Sequence, residues 1–112
     1  MDTLDTIKQQ LADNKVILYM KGSPTAPQCG FSQRTSQLVM ACGQRFAYVD
    51  VLANPEIRSE LPKFANWPTF PQLWVNGELI GGCDIVAEMY DKGELKPLID
   101  AAVEEGPAAS AN

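Results

Sequence analysis

The dipeptide Asn76-Gly77, set between the short runs Gln72–Val75 and Glu78–Ile80, constrains this chain more than any other feature. Asn-Gly supplies the two successive positive-φ residues that a two-residue turn between antiparallel strands requires. The end of any sheet in this chain is therefore an antiparallel hairpin. Upstream, helical and strand patterns alternate. Leu4, Ile7 and Leu11 fall at helical spacing and predict a first helix over Thr3 to Asp13. Val16 to Met20 is an apolar run of strand length, and Lys21 to Gln28, with Gly22, Pro24 and Pro27, reads as a loop. Phe31, Leu38, Val39 and Cys42 predict a helix from Gly30 that Gly43 stops. Phe46 to Val51 reads as a second strand. Asn54-Pro55-Glu56 then supplies an N-cap, a first-turn proline and a first-turn acid for a helix to about Ala65. Beyond the hairpin, Gly81-Gly82 breaks the strand and Asp84 caps a helix over Ile85 to Asp91. A last helix runs from Glu94 to Val103, and Gly106 to Asn112 is small, polar and frayed.

The predicted order is α-β-α-β-α-β-β-α-α. A βαβ unit is parallel and right-handed, and the hairpin adds two antiparallel strands. The expectation is an α/β fold with a mixed four-stranded sheet flanked by helices on both faces. One domain spans 1–105, followed by a flexible tail over 106–112, with no internal repeat.

At 112 residues the chain can bury roughly two thirds of its unfolded surface, so it needs no disulfide staples. Its net charge of −5 argues against nucleic-acid or anionic-membrane partners, which select basic surfaces. No apolar run reaches the roughly 18 residues that span a bilayer. The N-terminal segment reads as an amphipathic helix rather than a signal peptide, which implies a cytoplasmic location with reduced thiols. The cysteines, Cys29, Cys42 and Cys83, are odd in number with no close pair, a poor match to a disulfide framework. The absence of histidine removes a Ser-His-Asp triad, a Cys-His dyad and any imidazole-based zinc site.

What remains is thiol chemistry. Cys29 stands where a loop meets a helix N-terminus, and there the dipole and free N–H groups stabilise a thiolate. Lys21, at the end of the preceding strand, adds positive charge. A cysteine taken alone is more often a small buried hydrophobe, but a proline-bearing loop before it and Gly30 after it suit an exposed tip. Ser32 occupies the position where a Cys-x-x-Cys pair would carry its second thiol, and it can form no internal disulfide; its plainer reading is a first-turn helix residue that bonds to backbone. Pro71, after Thr69-Phe70, reads on sequence alone as an ordinary trans proline opening a strand. Gly81-Gly82-Cys83-Asp84 serves equally as a carboxylate-binding helix start or as a tight turn with a cap. Cys42 reads as core, and Arg58 as a helix arginine of the usual solvated kind.

Taken in order, Lys21-Gly22-Ser23-Pro24, Cys29-Gly30-Phe31-Ser32, Trp67-Pro68-Thr69-Phe70-Pro71 and Gly81-Gly82-Cys83-Asp84 closely resemble the motifs of the monothiol glutaredoxins, of the short bacterial single-domain type. The resemblance covers roughly residues 3 to 103. It implies a thioredoxin-like fold with Pro71 cis, and bound glutathione. It places Lys21 and Arg58 on the glycine carboxylate, the Phe70 backbone on the tripeptide's cysteine, and Cys83 and Asp84 on the γ-glutamyl end. It also implies a [2Fe–2S] cluster bridging a homodimer. Such a cluster takes four ligands, met here by Cys29 of each subunit and two glutathione thiolates. A BolA-type protein can replace one subunit, and apo iron–sulfur proteins are the clients. Two rival readings stand beside this cluster carrier. One is a glutathione-dependent oxidoreductase that attacks glutathionylated proteins through Cys29; by resemblance the loop from Lys21 to Cys29 is longer than in dithiol relatives, which disfavours brisk turnover. The other is an iron- or redox-sensing adaptor.

Overall fold

The computed structural model describes the backbone of residues 2–110 and the side chains of residues 2–104. Helix α1 spans Thr3–Asp13, and the Asp2 side chain caps it by accepting the Asp5 N–H at 2.8 Å. Strand β1 (Val16–Met20) is buried throughout. The expected loop holds a small antiparallel ribbon, β2 (Gly22–Ser23) against β3 (Ala26–Pro27). Helix α2 spans Gly30–Ala41 and stops at Gly43, whose φ of 85° is left-handed, as predicted. Strand β4 (Ala47–Asp50) and helix α3 (Pro55–Ala65) follow. Strands β5 (Gln72–Val75) and β6 (Glu78–Gly81) enclose the Asn76-Gly77 turn, where φ is 53° and 77°. Helices α4 (Cys83–Asp91) and α5 (Leu95–Ser110) complete the chain.

The sheet order is β4-β1-β5-β6. β1 runs parallel to β4 and antiparallel to β5, so the mixed four-stranded sheet is as expected. Alternation along β1 sends its side chains to two cores. Val16, Leu18 and Met20 pack with Val39, Val86, Leu95 and Ile99, from α2, α4 and α5. Ile17 and Tyr19 pack with Ile7, Ile57, Leu61 and Trp74, which places α1 and α3 on the opposite face. Each such aliphatic side chain stabilises the fold by about 1.5–3 kcal/mol when fully buried. The helices thus cover both faces, in the thioredoxin-like arrangement.

Several local expectations change. Asn54 stands at the N-cap of α3 but makes no side-chain cap bond. Its amide donates to the Asp50 carbonyl at 2.9 Å instead. Helix α4 begins at Cys83 behind an extended Gly82, so Asp84 lies inside the first turn rather than capping it. Strand β6 reaches Gly81, and α5 continues past Val103 to Ser110. Of the tail expected over 106–112, residues 111 and 112 and the side chains of 106–110 lie outside the described residues.

Candidate functional site

The C-terminal end of β1 delivers the chain to the site. Lys21 follows the last buried strand residue, and its peptide groups are all engaged. Its N–H donates to Ser32 Oγ at 3.0 Å, and its carbonyl accepts the Gln28 N–H at 2.9 Å. Gly22 then turns with φ of 91°, where a Cβ would stand 2.5 Å from the Ala26 carbonyl oxygen. Only glycine fits that close approach. The ribbon returns the chain to Cys29, which is extended (φ −154°, ψ 153°) and is the N-cap of α2.

At that cap the thiol does what a serine or aspartate usually does. Cys29 Sγ accepts the Ser32 N–H at 3.3 Å. Burial alone pushes the Cys29 thiol up. The Ser32 hydroxyl and N–H, the Phe31 N–H and the Lys21 charge together outweigh burial and hold the thiol below its ordinary range. The side chain is partly exposed, so the favoured thiolate is within reach of a reactant. Ser32 is fully buried, and its hydroxyl joins the Lys21 backbone to the thiol. Phe31, in contrast, is 65% exposed beside the thiol.

A cavity of about 690 Å³ opens next to this tip. Lys21 and Phe31 line it on one side, Arg58 and Pro62 of α3 on another. The segment 67–71 supplies the floor, and residues 82–85 at the start of α4 complete the lining. Lys21, Arg58, Phe70, Cys83 and Asp84, five of the six residues singled out from sequence, therefore share one cavity. Cys29 is not a lining residue; it caps the helix whose Phe31 lines the wall. The lining carries two cations, Lys21 and Arg58, and one carboxylate, Asp84 in the first turn of α4. A peptide-sized zwitterion matches that set of charges, and the volume suits a small-molecule ligand.

The Phe70-Pro71 bond is cis, against the trans reading from sequence alone and in accord with the family resemblance. Gln72 follows, fully buried, and fixes the floor. Its amide nitrogen donates to the carbonyls of Trp67 at 3.0 Å and Thr69 at 3.3 Å, and its oxygen accepts the Trp74 indole N–H at 3.1 Å. Gly82 permits the floor and α4 to approach: a Cβ there would lie 3.3 Å from the Pro71 carbonyl oxygen. The sequence reading missed Gln72, Pro62 and the wall role of Phe31. A glutamine opening an apolar strand was the one available signal for Gln72. Cys42 is core as expected, its thiol donating to the Leu38 carbonyl and pushed up by burial and then by Asp100. All three cysteines are free thiols.

A family model described as Glutaredoxin matches residues 16–80. Glutaredoxin 4 of Escherichia coli (strain K12) is 66% identical over 97 residues, which make up 87% of this chain and 84% of that protein. Glutaredoxin 4 of Haemophilus ducreyi is 65% identical over 99 residues, 88% of this chain and 92% of the relative. The solution structure of reduced poplar apo GrxS14 matches with a TM-score of 0.77 at 41% identity, covering 89% of this chain and 92% of that one.

Proposed function

The chain belongs to the glutaredoxin family, and on that premise we propose that it is a monothiol glutaredoxin that carries a [2Fe–2S] cluster between subunits for delivery to apo-proteins. The observation that carries this reading is the tip of α2: a thiolate-favouring Cys29 with Ser32, not a second thiol, against it. Among the described residues no three His, Cys, Asp or Glu side chains gather to hold a metal ion. With Cys29 as the one protein ligand from each subunit, the cluster is shared by two subunits and completed by two glutathione thiolates. The cluster is cargo, and exchangeable glutathione ligands favour its release.

The residues of the chain have these roles in the proposal. Lys21 and Arg58 hold the glycine carboxylate of glutathione, and the Phe70 backbone pairs with the tripeptide in the manner of an added strand. Cys83 and Asp84 hold the γ-glutamyl end at the start of α4. Cys29 supplies the protein ligand, as a thiolate. The working form is a homodimer, or a pair with a BolA-type protein, in the cytoplasm, built on a domain over 1–105. The proposal gives nucleic acid and membrane no role, in keeping with the net charge of −5; no helix among the described residues is long and apolar enough to cross a bilayer.

The test is reconstitution with ferrous iron, sulfide and glutathione without oxygen, read by absorbance and native mass. A coloured dimer containing two glutathiones is expected, and Cys29→Ser should abolish the colour. A colourless monomer under these conditions sinks the proposal.

The depressed Cys29 thiol also supports a second activity. The Cys29 thiolate attacks the glutathione sulfur of a glutathionylated protein, forms a Cys29–glutathione disulfide and expels the protein thiolate. A second glutathione thiolate then attacks that disulfide, releasing glutathione disulfide and regenerating Cys29. Rapid Cys29-dependent turnover in an iron-free coupled assay would favour this reading over the carrier.

A further inference from the structure

The geometry points to Asp50 as the positioning residue that sets the spacing between the two cations of the cavity, Lys21 and Arg58. The inference rests on the reading that those cations share the glycine carboxylate of glutathione. Asp50 is the last residue of β4 and lies in register with Met20, the residue just before Lys21. Its carboxylate Oδ1 accepts two backbone N–H groups, from Gly22 at 2.9 Å and from Leu52 at 2.9 Å. Its carbonyl accepts the Asn54 side-chain amide at 2.9 Å and the Ala53 N–H at 3.2 Å. The Asn54 carbonyl in turn accepts the N–H groups of Ile57 at 3.0 Å and Arg58 at 3.1 Å.

A continuous set of hydrogen bonds therefore runs from the Lys21–Gly22 peptide, through Asp50, to the first turn of α3. Among the described residues, the Asp50 and Asn54 side chains are the ones that make this connection. Asp50 itself does not line the cavity, whereas Lys21 and Arg58 do. It acts on where the two cations stand, not on the ligand. Two N–H groups on one carboxylate oxygen are charge-assisted bonds, and losing them frees the Gly22 turn and the Leu52 turn together. A carboxylate clamp works only if both cations reach the same carboxylate group, so a shift of one weakens the pair.

The experiment titrates the full chain calorimetrically with two ligands: glutathione, and glutathione esterified at its glycine carboxylate. The ester keeps the cysteine and the γ-glutamyl end and removes the group the two cations address. In the wild type, glutathione should bind more tightly than the ester. Asp50→Ala should weaken glutathione by about tenfold and leave the ester within about twofold. Asp50→Asn keeps an acceptor oxygen and should restore most of that preference. If Asp50→Ala does not fold, Asn54→Ala carries the test. It cuts only the α3 arm, and it should lower the preference for glutathione over the ester by a smaller factor. Loss of both ligands by the same factor in these variants overturns the inference and leaves the proposed function standing. A wild type that binds ester and free acid equally overturns the inference together with the assignment of Lys21 and Arg58. A wild type that binds neither removes the glutathione reading itself.

Discussion

Replacing Gln72 with leucine removes three hydrogen bonds from a fully buried position. The lost bonds are those to the Trp67 carbonyl (3.0 Å), the Thr69 carbonyl (3.3 Å) and from the Trp74 indole (3.1 Å). The cost is set by what each stranded group can find afterwards. Trp67 and Thr69 belong to a loop at the cavity wall, where water can reach replacement geometry. Trp74 is 6% exposed and stacked on Phe64 with ring centroids 6.1 Å apart, so its N–H has no such recourse. One buried unsatisfied donor costs about 1–3 kcal/mol, and two partly rehydrated carbonyls add about 1 kcal/mol. Gln72→Leu should therefore destabilise by roughly 2–4 kcal/mol, against a whole-protein stability on the order of 5–15 kcal/mol. The mechanism also fixes a coupling. Trp74→Phe alone strands the Gln72 oxygen, but Trp74→Phe in the Gln72→Leu background strands nothing further. Urea midpoints for the two single variants and the double variant, at unchanged slope, give the cycle. The double should be less destabilised than the sum by at least about 1 kcal/mol. Additivity within about 0.5 kcal/mol would refute the argument that the buried indole N–H dominates.

The Cys29 thiol sits below its ordinary range in the fold, so iodoacetamide should modify it at lower pH in native protein than in the urea-unfolded chain. A native alkylation midpoint at or above the unfolded one contradicts the cap geometry. By linkage, the thiolate contributes stability that is fully present above the unfolded thiol pKa and is lost as pH falls through the folded one. Gly22→Ala should destabilise by at least about 2 kcal/mol, because φ is 91° and the new Cβ meets the Ala26 carbonyl oxygen at 2.5 Å. A urea midpoint matching wild type would mean that the ribbon moves aside freely.

The features legible in the sequence were those with a local cause. The Asn76-Gly77 hairpin, the left-handed stop at Gly43 and the apolar β1 follow from residue type and period alone. The misses have causes that lie outside residue type and period. Asn54 was expected to cap α3. Pro55 has no N–H, and the N–H groups of Ile57 and Arg58 both bind the Asn54 carbonyl, so its amide turns to Asp50. Asp84 was expected to cap α4, but the extended Gly82 lets the helix begin before it. The β2–β3 ribbon is too short for any period and is held instead by the Gly22 turn and by Ser23 Oγ, which accepts the Ala26 N–H at 3.1 Å. Around the cavity, the family resemblance brought Lys21, Arg58, Phe70, Cys83 and Asp84 together in advance, and the residues that hold its walls from behind were not legible.

Ser32 shows what such placement adds. From sequence, it reads either as an absence, with no second thiol to compete with iron by closing a disulfide, or as a first-turn helix residue that bonds to backbone. In the fold it is a fully buried acceptor for the Lys21 N–H at 3.0 Å while it also contacts the thiol of Cys29. A thiol at that position is a weak acceptor and would leave the Lys21 N–H poorly satisfied where water does not reach. The same substitution that creates a disulfide partner therefore loosens the strand end that carries a cavity cation. Ser32, Asp50 and Gln72 are alike in this respect. Each binds backbone rather than lining the cavity, and each fixes one wall: the Cys29–Lys21 corner, the Lys21–Arg58 span and the 67–70 floor. A site whose walls are held by three separate polar staples keeps its shape while the partly exposed Cys29 thiol changes partners, which is what the proposed carrier role requires.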